Sequence, residues 1–353
     1  MSSPNPREWF SRARGLRRQD PCAAPAAGEP DERLSIGVDI GGTKVVAGVV
    51  DAGGHILDTR RRATPGRDVR AVEDTIVEVV QELADAASGP LCAVGVGAAG
   101  FVSADGSTVL FSPHLAWRRE PLRDRLTQRL ERTVLVDNDA NGAGWAEYRF
   151  GVGRGQSRLV CITLGTGIGG ALVFDGRLDR GLNGMAGEFG HMIIMPGGHR
   201  CECGNRGCWE QYASGNALGR EARELAVSGS PMGKDLLARA GGDPSLIVGA
   251  LVTEAARDGD PAAVELFIEV GHWLGVGLAN ICAALDPSMF VIGGGVSDAG
   301  DLLLTSAREA LARNLTGRGF RPVPEVLVAE QGPLANVIGM ADLARLAVEA
   351  PPR

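Results

Sequence analysis

Two stretches of the chain share one pattern, and this repeat constrains the fold more than any other feature. Residues 36–54 and 161–177 each contain an apolar strand, a short glycine-rich turn, a second apolar strand and a turn of the Asp-Gly type. The offset between them is about 124 residues, with Asp39 equivalent to Thr163. A strand–turn–strand unit that occurs twice, with helices elsewhere, predicts an α/β fold with two similar lobes around a cleft.

The segments between and after the repeats alternate between helix and strand patterns. Val69, Val72, Ile76, Val79 and Leu83 share one face of a predicted helix. Further helices are predicted around 122–130, over 262–285, near 302–311 and over 336–348, and further strands over 92–102, 133–140, 288–296 and 325–330. This alternation supports the α/β assignment.

Composition excludes several classes of protein. The 353 residues are 44% hydrophobic and 22% charged, which is ordinary for a soluble globular chain. A net charge of -7 argues against a general nucleic-acid binder. No run of about 18 apolar residues occurs, so no membrane span is expected. Residues 1–33 are interpreted as a flexible polar extension, because the pair Arg17–Arg18 is followed by no apolar core that would make an export signal.

Four cysteines are scattered through the chain, at positions 22, 92, 161 and 282. Their spacing is not that of a disulfide framework, so we expect reduced thiols and a cytoplasmic protein.

Glycine-rich turns point to phosphate binding but not to a dinucleotide. Residues 95–100 and 165–170 both match G-x-G-x-x-G, yet strands follow where that motif requires a helix. Residues 41–44 lack the Gly-Lys-Ser/Thr order of a P-loop. A single such turn is explained by tight backbone geometry alone. Two facing turns, with a third at 293–295 and with Asp39 nearby, favour a site for a triphosphate and Mg²⁺.

A predicted strand ends in the acidic sequence Asp137-Asn138-Asp139. An enzyme that phosphorylates a hydroxyl needs a carboxylate to accept the proton, and strand ends are where α/β proteins place their chemistry. Both acids also suit the N-cap of the following helix. The residues alone do not distinguish Asp137 from Asp139.

Three cysteines, Cys201, Cys203 and Cys208, lie within eight residues. Three thiolates need a fourth ligand for tetrahedral zinc, and His191 or His199 is near enough in sequence. No C-x-x-C pair occurs there, which argues against an independent zinc ribbon and against a redox site. Glu188 and Glu210 flank this cluster. Two rigid carboxylates suit the vicinal hydroxyls of a sugar, and the alternative is a pair of surface acids in a loop.

The motifs, taken in order, resemble the signatures of the ROK family of sugar kinases and repressors. The matching segments are GVDIGGTKVVAGVV, DNDANGAGWAE, LGTGIGGAL, GEFGHM, CECGNRGCWEQYASG and FVIGGGVS. The resemblance runs from about residue 35 to the C-terminus. It implies a two-lobed actin/hexokinase-type (ribonuclease H-like) ATPase fold, and the activity of the family's actinobacterial ATP-dependent glucokinases.

The resemblance also implies lobes, ligands and roles. The small lobe comprises 34–143 and 334–350, and the large lobe 144–333 with a zinc-stapled sugar-binding loop at 187–211. Asp139 is the implied general base and His191 is both a sugar and a zinc ligand. The implied sugar ligands are Gly100, Asn138, Asp139, Glu188, His191 and Glu210. The implied residues for ATP and Mg²⁺ are Asp39, Gly41, Gly42, Thr43, Lys44, Gly165, Thr166, Gly167, Gly293, Gly294 and Gly295. The implied zinc ligands are His191, Cys201, Cys203 and Cys208.

Other members of the family supply the alternatives. Its repressors carry an added helix-turn-helix domain, whereas here 35 residues with five prolines precede Ile36. Kinases of other hexoses or N-acetylhexosamines remain open, as do polyphosphate-dependent glucokinases, which resemble this chain but have Ser in place of Gly170. We expect glucose and ATP as the partners, a dimer or tetramer, and no nucleic acid or membrane.

Overall fold

Two five-stranded sheets form the framework of the computed structural model, which describes residue 22 and residues 31–66, 68–113 and 115–349. Their strands are β1 (Leu34–Ile40), β2 (Lys44–Val50), β3 (Ile56–Ala63), β4 (Leu91–Ala98), β8 (Thr133–Asn138), β9 (Arg158–Leu164), β10 (Ile168–Phe174), β11 (Arg177–Leu178), β12 (Met289–Gly293) and β13 (Glu325–Val328). The first sheet has the order β3-β2-β1-β4-β8 and the second has the order β11-β10-β9-β12-β13.

The two sheets have the same topology. In each sheet, the first three strands along the chain pair antiparallel to one another. The two later strands run parallel to the first strand. Asp39 on β1 pairs with Gly97, and Thr163 on β9 pairs with Gly293 at the corresponding end of the second sheet. The predicted duplication and α/β class are therefore confirmed.

Helices cover the sheets and fill the space between them. α1 and α2 pack on the first sheet, and α5, α7, α8 and α9 share one core with the second. α3 and α10 pack on each other, with α10 against the first sheet and α3 against the second. The helices are α1 (Val69–Ala86), α2 (Leu122–Leu130), α3 (Asp139–Phe150), α4 (Glu210–Ala213), α5 (Gly215–Val227), α6 (Lys234–Arg239), α7 (Gly249–Arg257), α8 (Pro261–Leu285), α9 (Asp301–Asn314) and α10 (Ala335–Glu349).

A third, three-stranded sheet follows Gly100, where the sequence predicts strand structure, but its third strand and its separation from the other sheets were not predicted. It comprises β5 (Phe101–Val102), β6 (Val109–Phe111) and β7 (Arg118–Glu120) in that order. Its strands have two or three residues, too few for a periodic pattern to stand out. Through Gly100 it lies next to the end of β8.

α8 is long and apolar enough, by length and composition, to cross a membrane. Its most apolar window is 56% buried inside the fold, where the helix packs against α7 and α9. Burial of this kind is what a core helix requires.

The expectation of reduced thiols outside the cysteine cluster is wrong for one pair. Cys22 and Cys92 form a disulfide with their Cα atoms 5.2 Å apart. The two residues are 70 positions apart in sequence, so spacing alone did not indicate the pairing. Cys161 and Cys282 are free and buried. Most of the predicted extension, residues 1–21 and 23–30, lies outside the described residues, and the lobe boundaries remain a prediction.

Candidate functional site

The end of β8 and the start of α3 form the centre of the candidate site. Asn138 is the N-cap of α3, and its Oδ1 accepts from the backbone N–H groups of Ala140 at 2.8 Å and Asn141 at 3.3 Å. Its Nδ2 donates to the carbonyl of Gly100 at 3.0 Å. The capping role that the sequence allowed for either acid therefore belongs to Asn138. One Nδ2 hydrogen of Asn138 is left for a sugar.

The two acids on either side of Asn138 have different environments. Asp137 is 2% exposed, and its carboxylate oxygens accept from the backbone of Asn138 and from Asn141 and Arg180. Asp139 is the first residue of α3 and is partly exposed. The positive end of the helix dipole stabilises a carboxylate at that position. The geometry thus separates a buried structural acid, Asp137, from an acid that solvent can reach, Asp139.

A second carboxylate approaches Asp139 from the second lobe. Glu188 immediately precedes a short 3₁₀ turn, Phe189–His191. Burial, the largest cause, and the negative charges of Asp139 and Glu210 together raise the pKa of Glu188 to about 7. Asp139 and Glu210, which belong to separate elements, therefore both lie close enough to Glu188 to affect its ionisation. A cluster of acceptors of this kind matches a ligand rich in hydroxyl groups.

The three predicted phosphate turns lie at equivalent ends of the two sheets. Residues 41–43 join β1 to β2, residues 165–167 join β9 to β10, and Gly293 ends β12. The backbone N–H groups of Gly42, Thr43 and Thr166 donate to no other residue in the described part of the chain. Free backbone donors at a glycine turn are suited to phosphate oxygens. The residues present therefore fit a nucleotide phosphate.

Asp39 is the penultimate residue of β1 and lies next to these turns. Burial raises its pKa, while a hydrogen bond from Asn336 and the positive charge of Lys44 lower it. The Asn336 Nδ2 donates to Asp39 Oδ1 at 2.7 Å. Sequence reasoning missed Asn336, which lies 297 residues away at the start of α10. A partly buried carboxylate beside open backbone donors fits an acid that holds Mg²⁺.

Glu210, in the predicted sugar-binding loop, lies against the predicted nucleotide turn at residues 165–167. A Cβ atom on Gly167 would lie 2.6 Å from Glu210 Oε2. The backbone of the same turn is anchored from α5, because Gly215 N donates to the carbonyl of Gly165 at 2.8 Å. The predicted sugar and nucleotide regions are therefore adjacent.

The cysteine cluster has the dimensions of a metal site. Ligand atoms of His191, Cys201, Cys203 and Cys208 all lie within 4.8 Å of one another. The Cys203 and Cys208 sulfurs are 3.6 Å apart, and Cys201 Sγ is 3.6 Å from His191 Nδ1. A tetrahedron with zinc–sulfur bonds of about 2.3 Å has edges of about 3.8 Å, so the set fits a structural zinc ion.

Of the two candidate histidines, the structure brings His191 into the cluster. His199 is exposed, its backbone N–H donates to the Tyr212 hydroxyl at 3.0 Å, and its ring packs on Tyr212. The His191 Nδ1 lies 3.5 Å from Glu210 Oε1 and faces the sulfur of Cys201. Its Nε2 is the ring nitrogen left for a second ligand.

Gly170 is required by packing. A Cβ atom there would lie 2.6 Å from the carbonyl oxygen of Gly187 and 2.5 Å from Cδ2 of Phe189. Those two residues flank Glu188 on the adjacent loop. Packing alone therefore accounts for this glycine. Its presence does not distinguish an ATP-dependent kinase from a polyphosphate-dependent one.

Comparisons with known proteins agree with this geometry. A model described as the ROK family matches residues 35–347. A glucokinase from Streptomyces coelicolor is 46% identical over 314 residues, covering 88% of this chain and 98% of the relative. A crystal structure of a ROK family glucokinase from Streptomyces griseus, in complex with glucose and AMPPNP, matches with a TM-score of 0.81 and 48% identity, covering 89% of this chain and 99% of that one. A xylose repressor from Caldicellulosiruptor bescii is 32% identical over 243 residues, covering 69% of this chain and 60% of the repressor.

Proposed function

The chain belongs to the ROK family, and from that premise we propose that it is a glucokinase, which transfers the γ-phosphoryl group of MgATP to the C6 hydroxyl of glucose. The observation that carries the proposal is the convergence of Asp139, Glu188 and Glu210 beside glycine turns with unused backbone donors. Hydroxyl acceptors and phosphate donors are thereby placed side by side. The similarity to glucokinases over most of the chain supports glucose as the acceptor.

Asp139 is the proposed general base. It accepts the proton of the C6 hydroxyl as the oxygen attacks the γ-phosphorus in line. It is the first residue of α3 and is partly exposed, so an acceptor hydroxyl can reach its carboxylate. Asp137 is unsuited to this role because its oxygens already accept three hydrogen bonds inside the protein and pair with the Arg180 guanidinium.

The remaining sugar contacts come from both lobes. Glu188 and Glu210 accept hydrogen bonds from sugar hydroxyls, and His191 contributes its Nε2. Asn138 contributes its second Nδ2 hydrogen, while Gly100 shapes the pocket through the bond that holds Asn138. Groups on separate elements orient the acceptor hydroxyl, and this orientation accounts for much of the rate enhancement in phosphoryl transfer.

The nucleotide binds across the glycine turns. Gly41, Gly42, Thr43 and Lys44 contact it from the first lobe, and Gly165, Thr166 and Gly167 from the second. Gly293, Gly294 and Gly295 complete the set. Asp39 would hold Mg²⁺, and the bound ion would neutralise charge that develops on the phosphates during transfer. Closure of the lobes excludes water, so that transfer to sugar is favoured over hydrolysis.

The zinc ion is structural in this proposal. His191, Cys201, Cys203 and Cys208 fill all four tetrahedral positions, so no position is open for substrate. The metal fixes the shape of the loop from residue 187 to residue 211, at whose end Glu210 lies. The protein acts in the cytoplasm on small molecules, as a homo-oligomer that binds neither nucleic acid nor membrane. Light scattering of the purified protein tests the assembly.

A phosphorylation panel tests the proposed function. Glucose, mannose, fructose, N-acetylglucosamine and N-acetylmannosamine are each combined with ATP, GTP and polyphosphate. We expect the highest kcat/KM for glucose with ATP. Preference for an N-acetyl sugar or for polyphosphate would assign the chain to another kinase of the family. Absence of any kinase activity, together with specific operator binding in a gel-shift assay, would assign it to the repressors.

A further inference from the structure

An ion pair joins the two sheets beside the site. Asp137 lies near the end of β8 in the first sheet, and its side chain is 3% exposed. Arg180 follows β11 of the second sheet and is 29% exposed. The Arg180 Nε donates to Asp137 Oδ2 at 2.6 Å, and its Nη2 lies 2.6 Å from the same oxygen. Both lobes therefore contribute one charge to a short contact.

The rest of the Asp137 carboxylate is used within its own lobe. Oδ1 accepts from the backbone N–H of Asn138 and from Nδ2 of Asn141, each at 2.8 Å. A buried carboxylate needs a counter-charge, because the loss of hydration is otherwise uncompensated. Among the residues that the structure describes, Arg180 is the basic side chain within ion-pair distance of Asp137. The pair therefore constrains where the end of β8 can lie.

Each partner is connected directly to groups of the proposed sugar site. Asn138 and Asp139 follow Asp137 without a break, and Glu188 follows Arg180 after a short loop. A backbone hydrogen bond joins the two ends of that loop: the N–H of Ala186 donates to the Arg180 carbonyl at 3.1 Å. It also packs through Gly184 against residues 102–104, at and just after the end of β5. Displacement of Arg180 is thus transmitted to Glu188.

We propose that Arg180 is a positioning residue that sets the spacing between Asp139 and Glu188. The Arg180–Asp137 pair holds the end of β8 and the Glu188 loop in one arrangement, so that base and sugar ligand meet the substrate together. The inference rests on the proposed glucokinase function for its kinetic consequence. Its structural consequence, a loop held by the ion pair, is independent of that function.

Three variants separate positioning from stability. Arg180→Met leaves the Asp137 carboxylate buried without a cation, so its melting temperature falls. Asp137→Asn and the double variant Arg180→Met/Asp137→Asn remove the buried charge, so the double variant regains thermal stability relative to Arg180→Met. Arg177→Met, an exposed position on β11, is the matched control.

Kinetics and hydrogen exchange are measured on all four variants and the wild type. We expect kcat/KM for glucose to fall by about 10²-fold in Arg180→Met and in the double variant, as for a displacement of about 1 Å at a reacting pair. The KM for ATP and the Arg177→Met control stay at wild-type values. Amide exchange in residues 181–191 accelerates in both variants that lack Arg180.

The outcomes distinguish this inference from the proposed function. Recovery of activity together with melting temperature in the double variant would show that the pair only stabilises the fold. Unchanged exchange in residues 181–191 after loss of Arg180 would overturn the inference even without a kinetic assay. A wild-type protein that does not phosphorylate glucose would refute the proposed function, while the exchange data would still decide the role of Arg180.

Discussion

Replacement of Gly170 by serine tests whether this position selects the phosphate donor or accommodates the sugar loop. Gly170 lies on β10, and a Cβ atom there would be 2.6 Å from the Gly187 carbonyl oxygen. That distance is about 1 Å short of ordinary van der Waals separation. The loop must move by a comparable amount, and Glu188 moves with it. Overpacking of this size costs about 1–3 kcal/mol of stability.

The expected effect on activity follows from the displacement of Glu188. We expect kcat/KM for glucose to fall by up to about 10²-fold with ATP, with no gain of activity on polyphosphate. Glucose 6-phosphate formation is followed with a coupled dehydrogenase, with ATP or polyphosphate as donor. Gly89→Ser is the control, because a Cβ atom there would lie 3.1 Å from the end of the Leu34 side chain and 3.7 Å from a backbone oxygen, so little must move. A Gly170→Ser enzyme that used polyphosphate with an unchanged KM for glucose would refute the reasoning.

Three further perturbations test separate parts of the site. Asn336→Ala removes the donor 2.7 Å from Asp39, so KM for MgATP should rise about 10- to 100-fold while KM for glucose, measured in the same assay, stays constant. The pKa of Glu188 is raised to about 7, so this ligand is ionised above pH 7 and protonated below it. We therefore expect kcat/KM for glucose to decline roughly tenfold per pH unit below 7, and the same step in a Glu188→Gln enzyme would contradict the assignment. Cys208→Ser should lose its zinc, as measured by elemental analysis, and should either raise the KM for glucose or unfold the loop. Cys282→Ser is the control and should keep its metal. A fully active enzyme without zinc would contradict the structural role of the metal.

The parts of the fold that the sequence predicted are local ones. The duplicated hairpins around Asp39 and Thr163 were recognisable because strand, turn and strand are adjacent in the chain. The cysteine cluster was recognisable for the same reason, since Cys201, Cys203 and Cys208 lie within one loop. Chemistry that depends on short spacing is readable from residue order alone.

The parts that were missed depend on contacts between distant residues. Arg180 meets Asp137 across 43 residues, and Asn336 meets Asp39 across 297. Nothing in the order of residues marks either pair, because the two sheets and α10 must assemble before the atoms approach. The sequence left the choice between Asp137 and Asp139 open for the same reason. The two acids differ in that Arg180 and Asn141 contact Asp137, and these contacts form only when the lobes assemble.

The turnover of Asp139→Asn tests the central claim most directly. The substitution keeps the shape of the side chain at the start of α3 but removes its ability to accept the hydroxyl proton. With glucose and ATP saturating, and glucose binding verified by calorimetry, we predict that kcat falls by about 10²- to 10⁴-fold. Turnover close to that of the wild type would contradict the assignment of Asp139 as the base in phosphoryl transfer to glucose.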